Sequence, residues 1–157
     1  MTTPDDTQTQ HLLTLLRQFT TGLMVTHAQN TPASSPELQA RPVSVAQVDD
    51  DGSLWLITNN PGSLFDDAPP TGHVLITFQK DNAYISYAGV AITEPHRDRL
   101  KALWQPAFAE WIVDGLDDPT LALVHVQPAH AQYWDHTGTN YTTLFQTLAS
   151  LLAGHGL

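Results

Sequence analysis

The chain has 157 residues, 41% of them hydrophobic, and a formal charge of -10 from six Lys and Arg against sixteen Asp and Glu. This fits one folded domain and excludes an intrinsically disordered chain. So few cations argue against nucleic-acid binding and against an anionic membrane surface, both of which need clustered Lys and Arg. With no Cys present, disulfides, thiolate chemistry, iron–sulfur clusters and Cys-type zinc sites are excluded.

Residues 1–9 are polar, carry Asp5 and Asp6 but no cation, and read as a frayed end rather than a signal or transit peptide. Residues 10–157 are expected to form a single domain. No apolar run approaches the roughly 18 residues of a membrane span, so the expectation is a soluble, cytoplasmic protein. From Gln10 to Phe19 the apolar residues Leu12, Leu13, Leu15, Leu16 and Phe19 recur at helical spacing, which predicts an amphipathic helix ended by Gly22. Leu23–Thr26 reads as a short strand, and Asn30–Pro36 as a loop rich in Pro, Ser and Asn.

Arg41–Val48 is the next strand, apolar at Val43, Val45 and, through Ala46 and Gln47, Val48. It ends at Asp49-Asp50-Asp51-Gly52, a strong turn signal, and Ser53–Thr58 returns as the second arm of a hairpin. A turn at Asn59–Gly62 follows. Ser63 is placed to cap a short helix running to Asp67, which Pro69 and Pro70 stop. His73–Phe78 and Ala83–Thr93 are two further strands joined near Asp81-Asn82. Pro95–Trp104 reads as a helix with Pro in its first turn, and Pro106–Trp111 as a short separate one. Asp114–Pro119 is a loop. Thr120–Val126 and Ala131–Trp134 are strand-like segments interrupted by Pro128, and Thr142–Leu152 is an amphipathic closing helix. Strand–helix–strand alternation is absent, so the expected fold class is mainly β: an antiparallel β-barrel with flanking helices.

The residues with chemical potential have bland readings beside their functional ones. His125, His130 and His136 lack the spacing of a metal site, and structural or surface roles are expected, with no metal. Asp49–Asp51, Asp66-Asp67 and Asp117-Asp118 read as solvated turns. Trp104, Trp111 and Trp134 read first as core or interface packing, and second as stacking surfaces for a planar ligand. Motifs of metalloproteases, serine hydrolases, dinucleotide-binding folds and P-loops are all missing.

Three stretches together are more specific: RPVSVAQVDDDGSLWLIT, YISYAGVAIT, and LKALWQPAFAEWIVDGLDDPTLALVHVQPAHAQYWD. In this order they resemble the general stress protein branch of the pyridoxamine 5'-phosphate oxidase-like proteins. That branch has an RPM strand, a DG turn, an LWF-x-T strand, a Tyr-rich strand, an LW-x-P-x-F-x-x-W helix, a DDP loop and a YWD strand. The resemblance spans about Leu12 to Asp135 and implies an FMN-binding split barrel. It implies a homodimer in which both subunits build each flavin site, with a flavin or similar planar ring as ligand and a redox role on an unassigned substrate. By motif, Arg41, Pro42 and Val43 edge the isoalloxazine and phosphate region, with Val43 where Met is usual. Ile57 and Thr58 offer backbone and hydroxyl contacts. Ser63 stands near the phosphate, and Trp134 approaches the flavin or the dimer seam. The alternative is a non-enzymatic split-barrel dimer that has lost tight FMN binding.

That alternative rests on the chain's acidic charge balance and on one departure. Relatives place a Lys six residues after the Thr of the LWF-x-T strand, and counted without a gap that position is Leu64. A phosphate there loses a point charge and meets Asp66 and Asp67 instead. A charge-assisted hydrogen bond contributes about 1.5–3 kcal/mol. Leu64→Lys is therefore expected to tighten FMN binding roughly tenfold to a hundredfold and to leave riboflavin nearly unchanged, as read by flavin fluorescence titration. Equal FMN affinity in both proteins would show that position 64 is not at the phosphate.

Overall fold

The computed structural model of the chain describes residues 4–27, 38–59, 71–94, 97–110, 112, 114–135 and 138–142. Helix α1 (Pro4–Leu16) precedes strands β1 (Thr21–His27), β2 (Leu38–Val48), β3 (Leu54–Asn59), β4 (Thr71–Lys80) and β5 (Ala83–Glu94). Helix α2 (Arg97–Leu103) and two 3-10 turns, Pro106–Glu110 and Gly115–Asp117, lead to the long strand β6 (Leu121–Asp135) and to β7 (Gly138–Thr142). All pairings are antiparallel, in the order β3-β2-β1-β4-β5-β6-β7. The further pairing of β3 with β6 closes six of these strands into a barrel. The mainly β, antiparallel barrel expected from the hairpin signals is the fold observed. Among the described residues no helix is long and apolar enough to cross a membrane.

Period-two alternation sorts the side chains into two clusters. Met24, Val43, Val45, Leu56, Ile76, Ile85 and Tyr87 fill the barrel, and Leu12, Leu13, Leu15 and Leu16 of α1 join them, with Phe19 just beyond the helix. On the outer face of β3 and β6, Trp55, Ile57, Leu121 and Leu123 pack under Leu100, Phe108 and Ile112. Strand β3 is thus covered on both faces and buried from Leu54 to Thr58, which is why its sequence is a continuous apolar run instead of an alternating one. Full burial of each such side chain stabilises the fold by about 1.5–3 kcal/mol.

The turns follow their residues. Gly52 sits at φ 91, a left-handed conformation that favours glycine, and its carbonyl accepts the buried Tyr87 hydroxyl at 2.6 Å. Burial raises the Tyr87 phenol well above its ordinary value, with Asp51 and Asp49 adding to the effect. Asp81 and Asn82, both at positive φ, form the two-residue β4–β5 turn, where their short polar side chains tolerate that backbone.

Several boundaries differ from expectation. Helix α1 begins at Pro4, so residues 4–9 are helical, and it ends at Leu16, short of Phe19. Gly22, expected to stop the helix, lies inside β1. The irregular alternation near Ala46 is a bulge, with Val45 opposite Leu56 and Gln47 opposite Trp55. Pro106–Glu110 is a 3-10 turn. Thr142, expected to open a helix, ends β7, a strand the sequence reading did not anticipate. The expected loop at 30–36, most of the turn at 59–62, the Ser63–Asp67 helix, Leu64, Trp111, His136 and positions 143–152 of the closing helix lie outside the described residues.

Pro128 does not interrupt the strand. β6 is continuous, and the register against β5 shifts there: Gly89 faces Pro128 while Ala88 faces His130, leaving Ala129 as the extra residue of a bulge. A bulge tolerates the missing proline N–H. It also brings the two backbones close, since a Cβ on Gly89 would press into the Gln127 carbonyl and stand 2.8 Å from Val126 Cγ1. Neither atom belongs to a flexible side-chain end. Gly89→Ala is expected to cost about 3 kcal/mol, the upper end of the overpacking range, read as a lowered urea midpoint at unchanged m. A midpoint equal to wild type would mean that β6 shifts freely at the bulge.

Candidate functional site

A groove of about 580 Å³ runs along the outer face of the barrel, within the usual size range of small-molecule pockets. Two adjacent cross-strand rows build it. In one, Pro42 of β2 faces Leu23 of β1, Leu23 faces Thr77 of β4, and Thr77 faces Ser86 of β5. In the other, Gln79 of β4 faces Tyr84 of β5, and Tyr84 faces Trp134 of β6. Thr21 and the backbone around Gly22, Phe78 and Ile85 complete the lining. Gln79 Nε2 donates to the Tyr84 hydroxyl at 3.3 Å. Leu23 is 47% exposed and Tyr84 44%, so the groove presents an open apolar and aromatic surface. Apart from the Tyr84 phenol, no side chain lining it among the described residues is ionisable.

The residues carried over by resemblance divide. Pro42 and Trp134 line the groove. Val43 and Ile57 are fully buried, Val43 in the barrel core and Ile57 in the outer cluster, so their side chains are occupied by packing. Thr58 is buried, and its hydroxyl donates to the Pro42 carbonyl at 3.1 Å, which ties β3 to the strand that edges the groove. Arg41 is half-buried and donates from Nη1 to the Asn59 carbonyl at 3.2 Å, and desolvation lowers its guanidinium below the ordinary value. Successive strand residues point to opposite faces, so Arg41 leaves β2 on the side away from Pro42 and the groove. Ser63 lies outside the described residues. The motif reading missed Thr77, Gln79, Tyr84 and Ser86. Their signal is the alternation Tyr84, Ile85, Ser86, Tyr87, which sends Ile85 and Tyr87 inward and their neighbours outward.

Among the described residues, His125 and the acids at 49–51 and 118 make packing and turn contacts, and Asp118 is buried where a solvated turn is expected. His125 stacks on Trp55 with centroids 4.1 Å apart, and the Arg99 guanidinium lies 4.4 Å from the same indole. Trp55 Nε1 donates to Asp49 at 2.9 Å. His130 is exposed, and no three His, Asp or Glu side chains among the described residues converge. Asp50 pairs with Arg17 at 2.8 Å, and Asp51 accepts from the Ser53 N–H at 2.8 Å. Asp118 accepts from the Thr120 hydroxyl at 2.7 Å and N–H at 2.8 Å, which lowers its pKa. Trp104 packs edge-on against Phe108. A second groove holds His11, whose Nε2 lies 2.7 Å from Asp135 Oδ2, beside Lys80 and Asp81.

A closed antiparallel barrel whose sixth strand also leaves the barrel to pair with a seventh, beside an aromatic groove, defines the split-barrel class. The model of the family described as pyridoxamine 5'-phosphate oxidase like matches residues 7–156, so the chain belongs to that family. Among solved structures, the chain is similar to a protein of Clostridium acetobutylicum related to general stress protein 26 of Bacillus subtilis. That match has a TM-score of 0.63 and 18% identity, and covers 86% of this chain and 93% of the other. A general stress FMN/FAD binding protein of Xanthomonas citri gives 0.58 and 23%, covering 80% and 87%. A pyridoxamine 5'-phosphate oxidase-related, FMN binding protein of Nostoc punctiforme gives 0.55 and 15%, covering 90% of each. No curated protein matches the chain.

The stacked His125 carries a pH dependence. Desolvation, the largest effect, lowers its pKa from the ordinary 6.5, and Asp49 and Asp51 oppose that shift. Arg99 adds to the lowering, while Glu94 also opposes it. The unfolded chain therefore takes up this proton first as pH falls, so the contribution to stability is complete above 6.5 and is lost below it. Urea unfolding between about pH 5 and 7.5 is expected to show a flatter stability curve for His125→Gln than for wild type. Parallel curves would mean that His125 titrates alike in both states.

Proposed function

We propose that the groove holds the ring system of a flavin at the seam between two copies of this chain, in a protein of the general stress type with a flavin-dependent redox role. The observation that carries this reading is the juxtaposition of Trp134 and Tyr84 with Pro42 of the RPV strand along one groove. Membership of the family supports it, as do the FMN-binding and FMN/FAD-binding names of two neighbours. The ring part of a flavin fits the groove: it is planar and apolar with polar edges, and Thr21, Thr77, Gln79 and Ser86 bring donors and acceptors to an aromatic-lined floor. The two-copy arrangement is supported by exposed Leu23, Leu38, Leu75 and Tyr84 on strands β1, β2, β4 and β5, apolar surface of the kind an isologous interface covers.

A bound flavin supplies electron or hydride transfer, and the protein supplies binding and orientation. In this chain Trp134 and Tyr84 give the stacking surface, Pro42 and Leu23 give a rigid apolar wall, and the buried strands behind them exclude water from one side. A non-enzymatic split-barrel dimer is the second reading, favoured by the lack of a charged side chain along the groove among the described residues.

Titration of the purified protein with FMN, followed by flavin fluorescence, is expected to give saturable binding. Trp134→Ala is expected to weaken it about tenfold, since aromatic stacking on a heterocycle is worth about 1–3 kcal/mol. Sedimentation should give about twice the chain mass. A protein that binds no flavin would overturn the reading, and a monomer that binds it would remove the shared seam.

A further inference from the structure

The chain has six cations in all: Arg17, Arg41, Lys80, Arg97, Arg99 and Lys101. Every one falls at a described position, and none of them lines the groove. Arg17 donates to Asp50 and to the Val48 carbonyl. Arg97 is spread over the carbonyls of Leu116, Asp118 and Leu121, between the second 3-10 turn and the start of β6. Arg99 lies on the Trp55 ring in the outer cluster. Arg41 donates to Asn59 on the side of β2 away from the groove. Lys80 lines the second groove, beside Asp81 and Asp135. Lys101 sits in the last turn of α2. The stretches outside the described residues contain no Lys or Arg, so the copy that forms the groove adds no cation to its lining.

From this we infer that the groove recognises a ring and not a phosphate. This rests on the flavin reading above and narrows it. The ligand class is an uncharged fused-ring heterocycle with hydrogen-bonding edges, and riboflavin is accepted as readily as FMN. The lining offers stacking area and neutral donors and acceptors to the ring. It has no fork or ammonium to repay the desolvation of a dianion, and the chain's charge of -10 repels one. A site that reads the phosphate gains at least a tenfold preference for FMN from a single charge-assisted contact.

The test is a pair of fluorescence titrations, riboflavin and FMN, at pH 8, where unperturbed histidine is neutral. The expected result is two dissociation constants within about threefold of each other, and a weakening of both ligands together in Trp134→Ala. Gln79→Lys, which places an ammonium at the groove rim, is expected to raise the ratio of FMN affinity to riboflavin affinity about tenfold. Tenfold or greater preference for FMN in the wild type would overturn the inference and leave the flavin reading standing. So would Arg41→Gln losing tenfold on FMN alone. Binding of neither ligand would overturn the flavin reading, and this inference with it.

Discussion

Strand β6 carries the architecture because it is paired along both of its edges. One edge holds β5 for most of its length, and the other holds β3 from Leu121 to Val126 and β7 from Ala131 to Asp135. The first half closes the barrel, and the second extends past it to bring Trp134 to the groove. The bulge at Ala129 separates the halves. A regular strand would keep one alternation throughout. With one extra residue Val124, Val126, Ala131 and Tyr133 all reach the barrel core, although Val126 and Ala131 differ in parity. The strand therefore changes partner without exposing apolar side chains.

The two faces of β3 show why one sequence supports both a barrel and an outer shell. Leu54 and Leu56 belong to the interior, while Trp55 and Ile57 belong to the cluster roofed by α2 and the first 3-10 turn. That roof is held by backbone carbonyls as much as by apolar contact, since Arg97 joins Leu116 and Asp118 to Leu121 and Gln105 reaches the Ala46 carbonyl in the β2 bulge. Arg99 and His125 flank Trp55 with charge and aromatic surface. The cations of this acidic chain are thus mostly engaged in holding its own elements in place.

Most of the fold was legible because period-two patterns and turn residues are local. Val43 and Val45, Leu54 and Leu56, and Ile85 and Tyr87 face inward as their alternation requires, and Asp51-Gly52 and Asp81-Asn82 turn the chain where their chemistry predicts. What was not legible depends on neighbours distant in sequence. Pro128 reads as a stop until a bulge opposite Gly89 accommodates it. Motif matching named Pro42 and Trp134, which line the groove, and Val43 and Ile57, whose side chains are buried. Motif matching does not say which face a side chain leaves. Arg41 and Pro42 are adjacent in sequence and opposite in orientation, and only the strand register reveals it.

The closing seam also has a consequence in time. The hairpins β2–β3 and β4–β5 join neighbours through short turns, whereas Leu54 must find Val126 and Asn59 must find Leu121, each more than sixty residues away. Non-local pairing of this kind pays its loop entropy before any contact rewards it, which slows folding. Until the seam closes, β3 and the Leu121–Val126 part of β6 each carry an unsatisfied ladder. Trp55 stands at that seam opposite His125, so its emission reports the moment the edges meet.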